Sequence, residues 1–128
     1  MVKALLDTSV LITENVPTLE GELAISAVSL AELHFGVLVA KGPSARATRL
    51  RRLSDVQRRF EALPVDEDVG VSYGRLAAAV RDAGRQPRSR SLDLLIAATA
   101  HAHGARLYTY NPTDLVGVED LVEVHSLS

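Results

Sequence analysis

Strand-length apolar runs set between helix-length segments constrain this chain more than any other feature. Lys3–Leu6, Leu23–Ile25 and Arg106–Tyr110 read as short strands, with a last one over Val122–His125. Strands that are apolar along most of their length belong to a parallel sheet covered on both faces, whereas half-exposed strands alternate. The segments between them carry helical patterning. Helices are expected over Val10–Asn15 (capped by Thr8 or Ser9), from Ser26 or Ser29 to Lys41, and over Ser44–Leu63, Asp66–Gly84 and Leu92–His103. Gly42-Pro43, Gly84 and Gly104 stop three of them, and Ser91 is the expected cap of the last.

The helix ending at Lys41 has apolar residues nearly all round, as a buried helix does. The next is amphipathic, with Leu50, Leu53, Val56, Phe60 and Leu63 as its stripe. Asp66–Gly84 turns Val69, Tyr73, Leu76, Ala77 and Val80 inward. Leu63-Pro64-Val65 reads as a short strand or extended link, Arg85–Arg90 as a basic loop, and Asn111–Asp114 as a turn. Tyr108 and Tyr110 lie two apart on a strand, so they share a face and are expected to pack. The pattern predicts an α/β fold with a short, mostly parallel central sheet flanked by helices.

A chain of 128 residues, 47% of them apolar, fits one domain spanning 1–128 with a sizeable core. It has no cysteine, which excludes disulfides and thiolate chemistry. The first apolar run is broken by Asp7 and lacks a cleavage signature, and no uncharged apolar stretch approaches the roughly 20 residues of a membrane helix. A cytoplasmic protein without membrane contact is the expectation. Net charge is only −2, but its distribution is uneven. Residues 44–60 hold six arginines against Asp55, and residues 75–90 hold five against Asp82. From Leu107 onward there are four acids and no Lys or Arg. The four histidines show no metal-ligand spacing and are expected to be structural or exposed.

Three acids interrupt apolar surroundings. Asp7 ends the first strand, Glu32 sits within Val28–Leu33, and Asp93 precedes Leu94–Ala98. Asp114 follows the strand ending at Tyr110. Ligands of open α/β sheets bind beyond the carboxyl ends of the strands, where all four can meet. Like charges about 4 Å apart repel by roughly 4 kcal/mol at an effective dielectric of 20. A shared site therefore holds its acids partly protonated or around a cation. Oxygen donors select hard ions, Mg²⁺ or Mn²⁺. Taken singly, each acid has a plainer reading: a helix cap for Asp7, a partner for a buried arginine for Glu32, a helix-dipole acid for Asp93, a turn residue for Asp114.

Leu5–Ile12, Ser29–Gly36, Asp93–Ala100 and Thr109–Asp114 resemble, in order and spacing, the four motifs of PIN-domain ribonucleases, most closely the small VapC toxins of prokaryotic toxin–antitoxin pairs. The resemblance covers nearly the whole chain and implies a PIN-like three-layer fold. It makes Asp7, Glu32 and Asp93 the core metal-binding and catalytic acids, with Asp114 as a fourth. Ser9 matches the hydroxyl residue that helps hold metal-bound water or phosphate. The family often has Asp where Asn111 stands and an aromatic where Leu115 stands; Asn111 keeps a supporting role, orienting a water or a carboxylate. The implied activity is Mg²⁺-dependent RNA cleavage, with Mn²⁺ able to substitute, leaving a 5′-phosphate and a 3′-hydroxyl. Arg88 and Arg90 flank the Asp93 helix and are expected to touch RNA. A cognate antitoxin and a homodimer are the implied protein partners. The alternative is a non-catalytic PIN scaffold that binds RNA or protein. A phosphatase with Asp7 as nucleophile fits poorly, because Ser9 stands where that chemistry needs a second acid.

Overall fold

A computed structural model describes residues 3–13 and 17–128. Its centre is a five-stranded, wholly parallel sheet in the order β3-β2-β1-β4-β5. The strands are β1 (Lys3–Leu6), β2 (Glu22–Ser26), β3 (Glu61–Leu63), β4 (Arg106–Thr109) and β5 (Val124–Ser126). The helices are α1 (Thr8–Leu11), α2 (Ala27–Leu38), α3 (Pro43–Arg59), α4 (Glu67–Asp82) and α5 (Ser91–Ala102). Two 3₁₀ turns, Pro87–Arg90 and Pro112–Leu115, complete the chain.

Apolar residues at successive strand positions serve two cores, one on each face. Leu5, Ala24 and Leu107 pack with Val69, Leu76 and Val80 of α4 and Leu94, Ala97 and Ala98 of α5. Their neighbours Ala4, Leu6, Ile25 and Tyr108 point the other way, onto Leu33 of α2 and Leu53 and Val56 of α3. A strand buried on both sides has no polar face, which is why these runs read as continuous rather than alternating. Tyr110 packs against the second core together with Tyr108.

Two helices stop in the same way. The amide of Arg85 bonds to the Val80 carbonyl (3.1 Å), and that of Ala105 bonds to Ala100 (2.9 Å). Gly84 and Gly104 sit between at φ 81° and 60°. These are Schellman turns, which need a residue that tolerates positive φ. The second turn sends the chain straight into β4.

Leu50, expected in the apolar stripe, is 50% exposed, and the ends of α2, β4 and β5 shift by one to three residues. Four further differences stand out. The first helix begins at Thr8 with Asp7 as its cap, rather than at Val10; its expected end at Asn15 lies outside the described residues. The amphipathic helix ends at Arg59 rather than Leu63, because Phe60 turns extended and residues 61–63 pair with β2. Ser91 does not cap α5: it lies inside the first turn, and its hydroxyl donates to the Arg88 carbonyl at 2.9 Å. Finally, α2 is not buried all round. Phe35 and Leu38 are 66% and 75% exposed. No helix among the described residues is long and apolar enough to cross a membrane.

Candidate metal and nuclease centre

Asp7 is the residue after β1, and Thr109 is the last residue of β4. The parallel register pairs Leu6 with Tyr108, so their successors are neighbours at the carboxyl edge of the sheet. The Asp7 amide donates to the Tyr108 carbonyl (3.0 Å), continuing the ladder one step past the strand. The Asp7 side chain is almost fully buried, at 8% exposure. Burial of an ionised carboxylate is tolerable only with donors around it. Oδ1 accepts from the Thr8 amide (2.9 Å), and Oδ2 accepts from both the Ser9 hydroxyl (2.8 Å) and the Thr109 hydroxyl (2.7 Å).

Each hydroxyl has one proton, so these donations fix the rest of the web. With their protons on Asp7, Ser9 and Thr109 act as acceptors elsewhere. Ser9 Oγ takes the Tyr110 amide (3.0 Å) and Thr109 Oγ1 takes the Asn111 amide (3.0 Å). The backbone beyond β4 is thereby drawn against α1. Thr8 extends the web to α2. Its hydroxyl donates to Glu32 Oε1 at 2.8 Å, so its 2.8 Å contact with Ser29 must be a donation from Ser29.

Glu32 is one turn into α2, whose start is fixed by the Ser26 hydroxyl accepting from the Val28 amide (3.1 Å). Asp93 lies in the first turn of α5. Its pKa is pushed up to about 6, first by burial and then by the negative charges of Asp7, Asp114 and Glu32; Arg90 opposes the rise. The four acids, carried by four separate segments, thus share one electrostatic field. Asp114, in the second 3₁₀ turn, forms an ion pair with Arg90 at 3.1 Å.

Among the described residues, no group of three or more acidic, histidine or cysteine side chains is arranged to hold a metal ion as it stands. Both oxygens of Asp7, one of Glu32 and one of Asp114 are engaged by protein donors. The donor chemistry nevertheless suits a hard cation. The set is all oxygen, and burial together with the charges of Asp7, Asp114 and Glu32 outweighs Arg90 in raising the Asp93 pKa.

The arginines singled out in the sequence part company. Arg90 stands among the acids, whereas Arg88 lines an adjoining basic recess with Arg81; Arg85 and Gln86 border both. Asn111 enters the web through its backbone amide. Thr8, Ser29 and Thr109 escaped the sequence reading as site members. The signal available was Thr109, a polar residue closing an apolar strand just as Asp7 closes its own. Two histidines are held by protein partners: His101 Nδ1 lies 2.8 Å from Ser72 Oγ, and His125 pairs with Glu123 at 2.7 Å.

The PIN domain family model matches residues 4–113. The chain belongs to the PIN-domain family. Within it, the chain is similar to Ribonuclease VapC4 of Mycobacterium tuberculosis, 41% identical over 113 residues that cover 84% of this chain and 85% of the relative. Ribonuclease VapC5 of the same organism is 41% identical over 110 residues, covering 81% and 79%. Among solved structures, the fold matches VapBC-5 of Mycobacterium tuberculosis, a member of the VapBC family of toxin–antitoxin systems. The TM-score is 0.84 at 33% identity, with 98% of each chain covered. The five-stranded parallel sheet between helical layers is therefore the PIN fold, and Asp7, Glu32, Asp93 and Thr109 all fall inside the matched span.

Proposed function

We propose that this PIN domain is an endoribonuclease and the toxin of a toxin–antitoxin pair, hydrolysing RNA with a divalent cation at Asp7, Glu32, Asp93 and Asp114. The observation that carries the reading is the shared field of those four acids at the carboxyl edge of the sheet, in a chain 41% identical to a VapC ribonuclease. Mg²⁺, or Mn²⁺ in its place, supplies charge neutralisation at the scissile phosphate and a lowered pKa for bound water.

The chain's own residues do the rest. Asp7 is held in one orientation by three donors and cannot swing away as charge accumulates. Thr8 fixes Glu32 toward the same point. Asp93, in the first turn of α5 and within the field of the other three acids, is placed to orient an attacking water. Asn111 and Ser9 support the edge on which the phosphate sits.

An inhibitory partner requires an apolar surface. Ile12 of the segment after α1, Phe35 and Leu38 of α2 and Val39, its C-cap, are all at least half exposed. Single exposed apolar residues are ordinary, but a group of this kind beside a site marks a protein contact. It is the proposed seat of the antitoxin, whose counterparts accompany the VapBC relatives. A second copy of this chain is the other proposed partner.

The test is RNA cleavage by purified protein in Mg²⁺, wild type against Asp7→Asn. Cleavage is expected to fall by at least about a hundredfold, since even outer-shell changes around a metal cost 10- to 100-fold. Circular dichroism should be unchanged. Equal cleavage by the two proteins refutes the assignment.

A further inference from the structure

The acids lie between two recesses, each with arginines in its wall. One, of about 380 Å³, is lined by Thr8, Glu32, Leu33 and Gly36 together with Arg49 and Arg52 of α3. The other, of about 170 Å³, is lined by Asp114, Arg90, Arg85, Gln86 and Ser89. Each contains one of the site's own carboxylates, so each opens directly onto the centre. In the sheet order, Glu32 follows β2 on one side of β1, and Asp114 follows β4 on the other. Asp7 stands between them.

Arg49 and Arg52 are three apart on α3 and share a face. Arg49 is also anchored: its Nη1 donates to the Gly36 carbonyl at 2.6 Å, which holds the guanidinium at the recess wall with its other donors free of that bond. Arg51 and Arg58 lie on a different face of the same helix, in another recess with Asp55.

We propose that Arg49 and Arg52 form a phosphate-binding subsite on the Glu32 side, and that with Arg85 and Arg90 on the Asp114 side they seat a single RNA strand across the acids. This rests on the ribonuclease reading above and names how the substrate lies. A polyanion crossing four carboxylates is repelled at the centre and must be held at its flanks. Two guanidiniums line each recess, with Arg90 also paired to Asp114. A partner protein occluding the site needs only one of these recesses; a strand passing through needs both. A single strand has exposed phosphates on either side of one scissile bond, within reach of a recess on each side.

The experiment is fluorescence anisotropy of a labelled single-stranded RNA on the full chain in Mg²⁺, in the Asp7→Asn background so that the probe survives. Arg49→Gln with Arg52→Gln is expected to weaken binding about tenfold and to reduce the slope of log affinity against log salt by about 1.4, about 0.7 for each lost phosphate contact. Arg85→Gln with Arg90→Gln should do the same. Arg51→Gln with Arg58→Gln removes equal charge from another face and should change affinity less than twofold. Arg49→Lys with Arg52→Lys should retain most of the binding, which separates loss of charge from damage to the fold. Equal losses in all three Gln pairs would reduce the subsite to bulk charge and overturn the proposal. So would full RNA affinity in the Arg49/Arg52 Gln pair, whether or not that pair loses binding of an acidic peptide. Should wild type fail to cleave while the recess pairs still lose RNA affinity, the ribonuclease reading falls and the strand path stands.

Discussion

Asp93 concentrates the electrostatic problem of this site in one carboxyl. Its proton is held up to about pH 6 in the folded chain, against 3.8 for the free group. Between those values the folded state binds more protons than the unfolded state, so stability falls as pH rises from about 4 to about 6. Asp93→Asn removes that dependence. In buffer without divalent cations, the variant is expected to melt about 3–5 °C above wild type at pH 7, the shift of about 1 kcal/mol in a domain of this size. The figure allows for screening of a partly exposed group. The two proteins should converge near pH 4, measured by thermal unfolding at successive pH values. A difference in melting temperature that is the same at pH 4 and pH 7 would remove Asp93 as the source. Asp93 is then a carboxyl kept at the expense of stability, as expected if it serves the proposed site.

At the scale of elements, α2 shows how a single hydroxyl places a functional side chain. Ser26 is fully buried and caps the helix through the Val28 amide. Thr99 spends its proton on the Leu95 carbonyl (2.9 Å), so the 3.3 Å contact between the two hydroxyls is a donation from Ser26. Ser26→Ala removes both interactions and is expected to cost about 1–3 kcal/mol, read from the shift of the denaturant midpoint at constant slope. A loss under about 0.5 kcal/mol would show that the cap is dispensable.

The same elements show what the sequence carried and what it hid. Strands β1, β2 and β4 were legible because burial on both faces leaves an apolar signature in few residues. The positions of Asp7 and Asp114 just past strand ends followed from those runs. β3 was expected as a short strand or link at 63–65 but lies at 61–63, because Phe60 and Leu63 continue the helical stripe of Leu53 and Val56 and hide where the helix ends. Only pairing with β2, far away in sequence, decides for extension, although the Pro64 that follows Leu63 favours it locally. The exposure of Phe35 and Leu38 was equally hidden, since apolar composition does not say whether a covering layer exists. The hydroxyl web was illegible for a different reason. Ser and Thr are common everywhere, and Thr109 becomes a partner of Asp7 only through the β1–β4 register.

For the whole molecule, a cation is expected to act as a stabiliser. A ligand bound only by the folded state adds about 2.7 kcal/mol at 100 times its dissociation constant. Titrating Mn²⁺ should raise the melting temperature of wild type progressively and leave Asp7→Asn nearly flat. Equal responses from the two proteins would place the ion elsewhere.

The central position of β1 carries a consequence for how the molecule comes into being. Asp7 is made well before the Thr109 hydroxyl that locks it, which is 102 residues later. At 5–20 residues per second, that interval is roughly 5–20 s. Throughout it, β1 lacks its β4 neighbour, and Asp114 and its arginine clamp have not formed. The set of acids is therefore incomplete until residues 109–114 have been made, so the order of the strands acts as a delay on the assembly of the site. A partner made alongside it has that interval in which to arrive first.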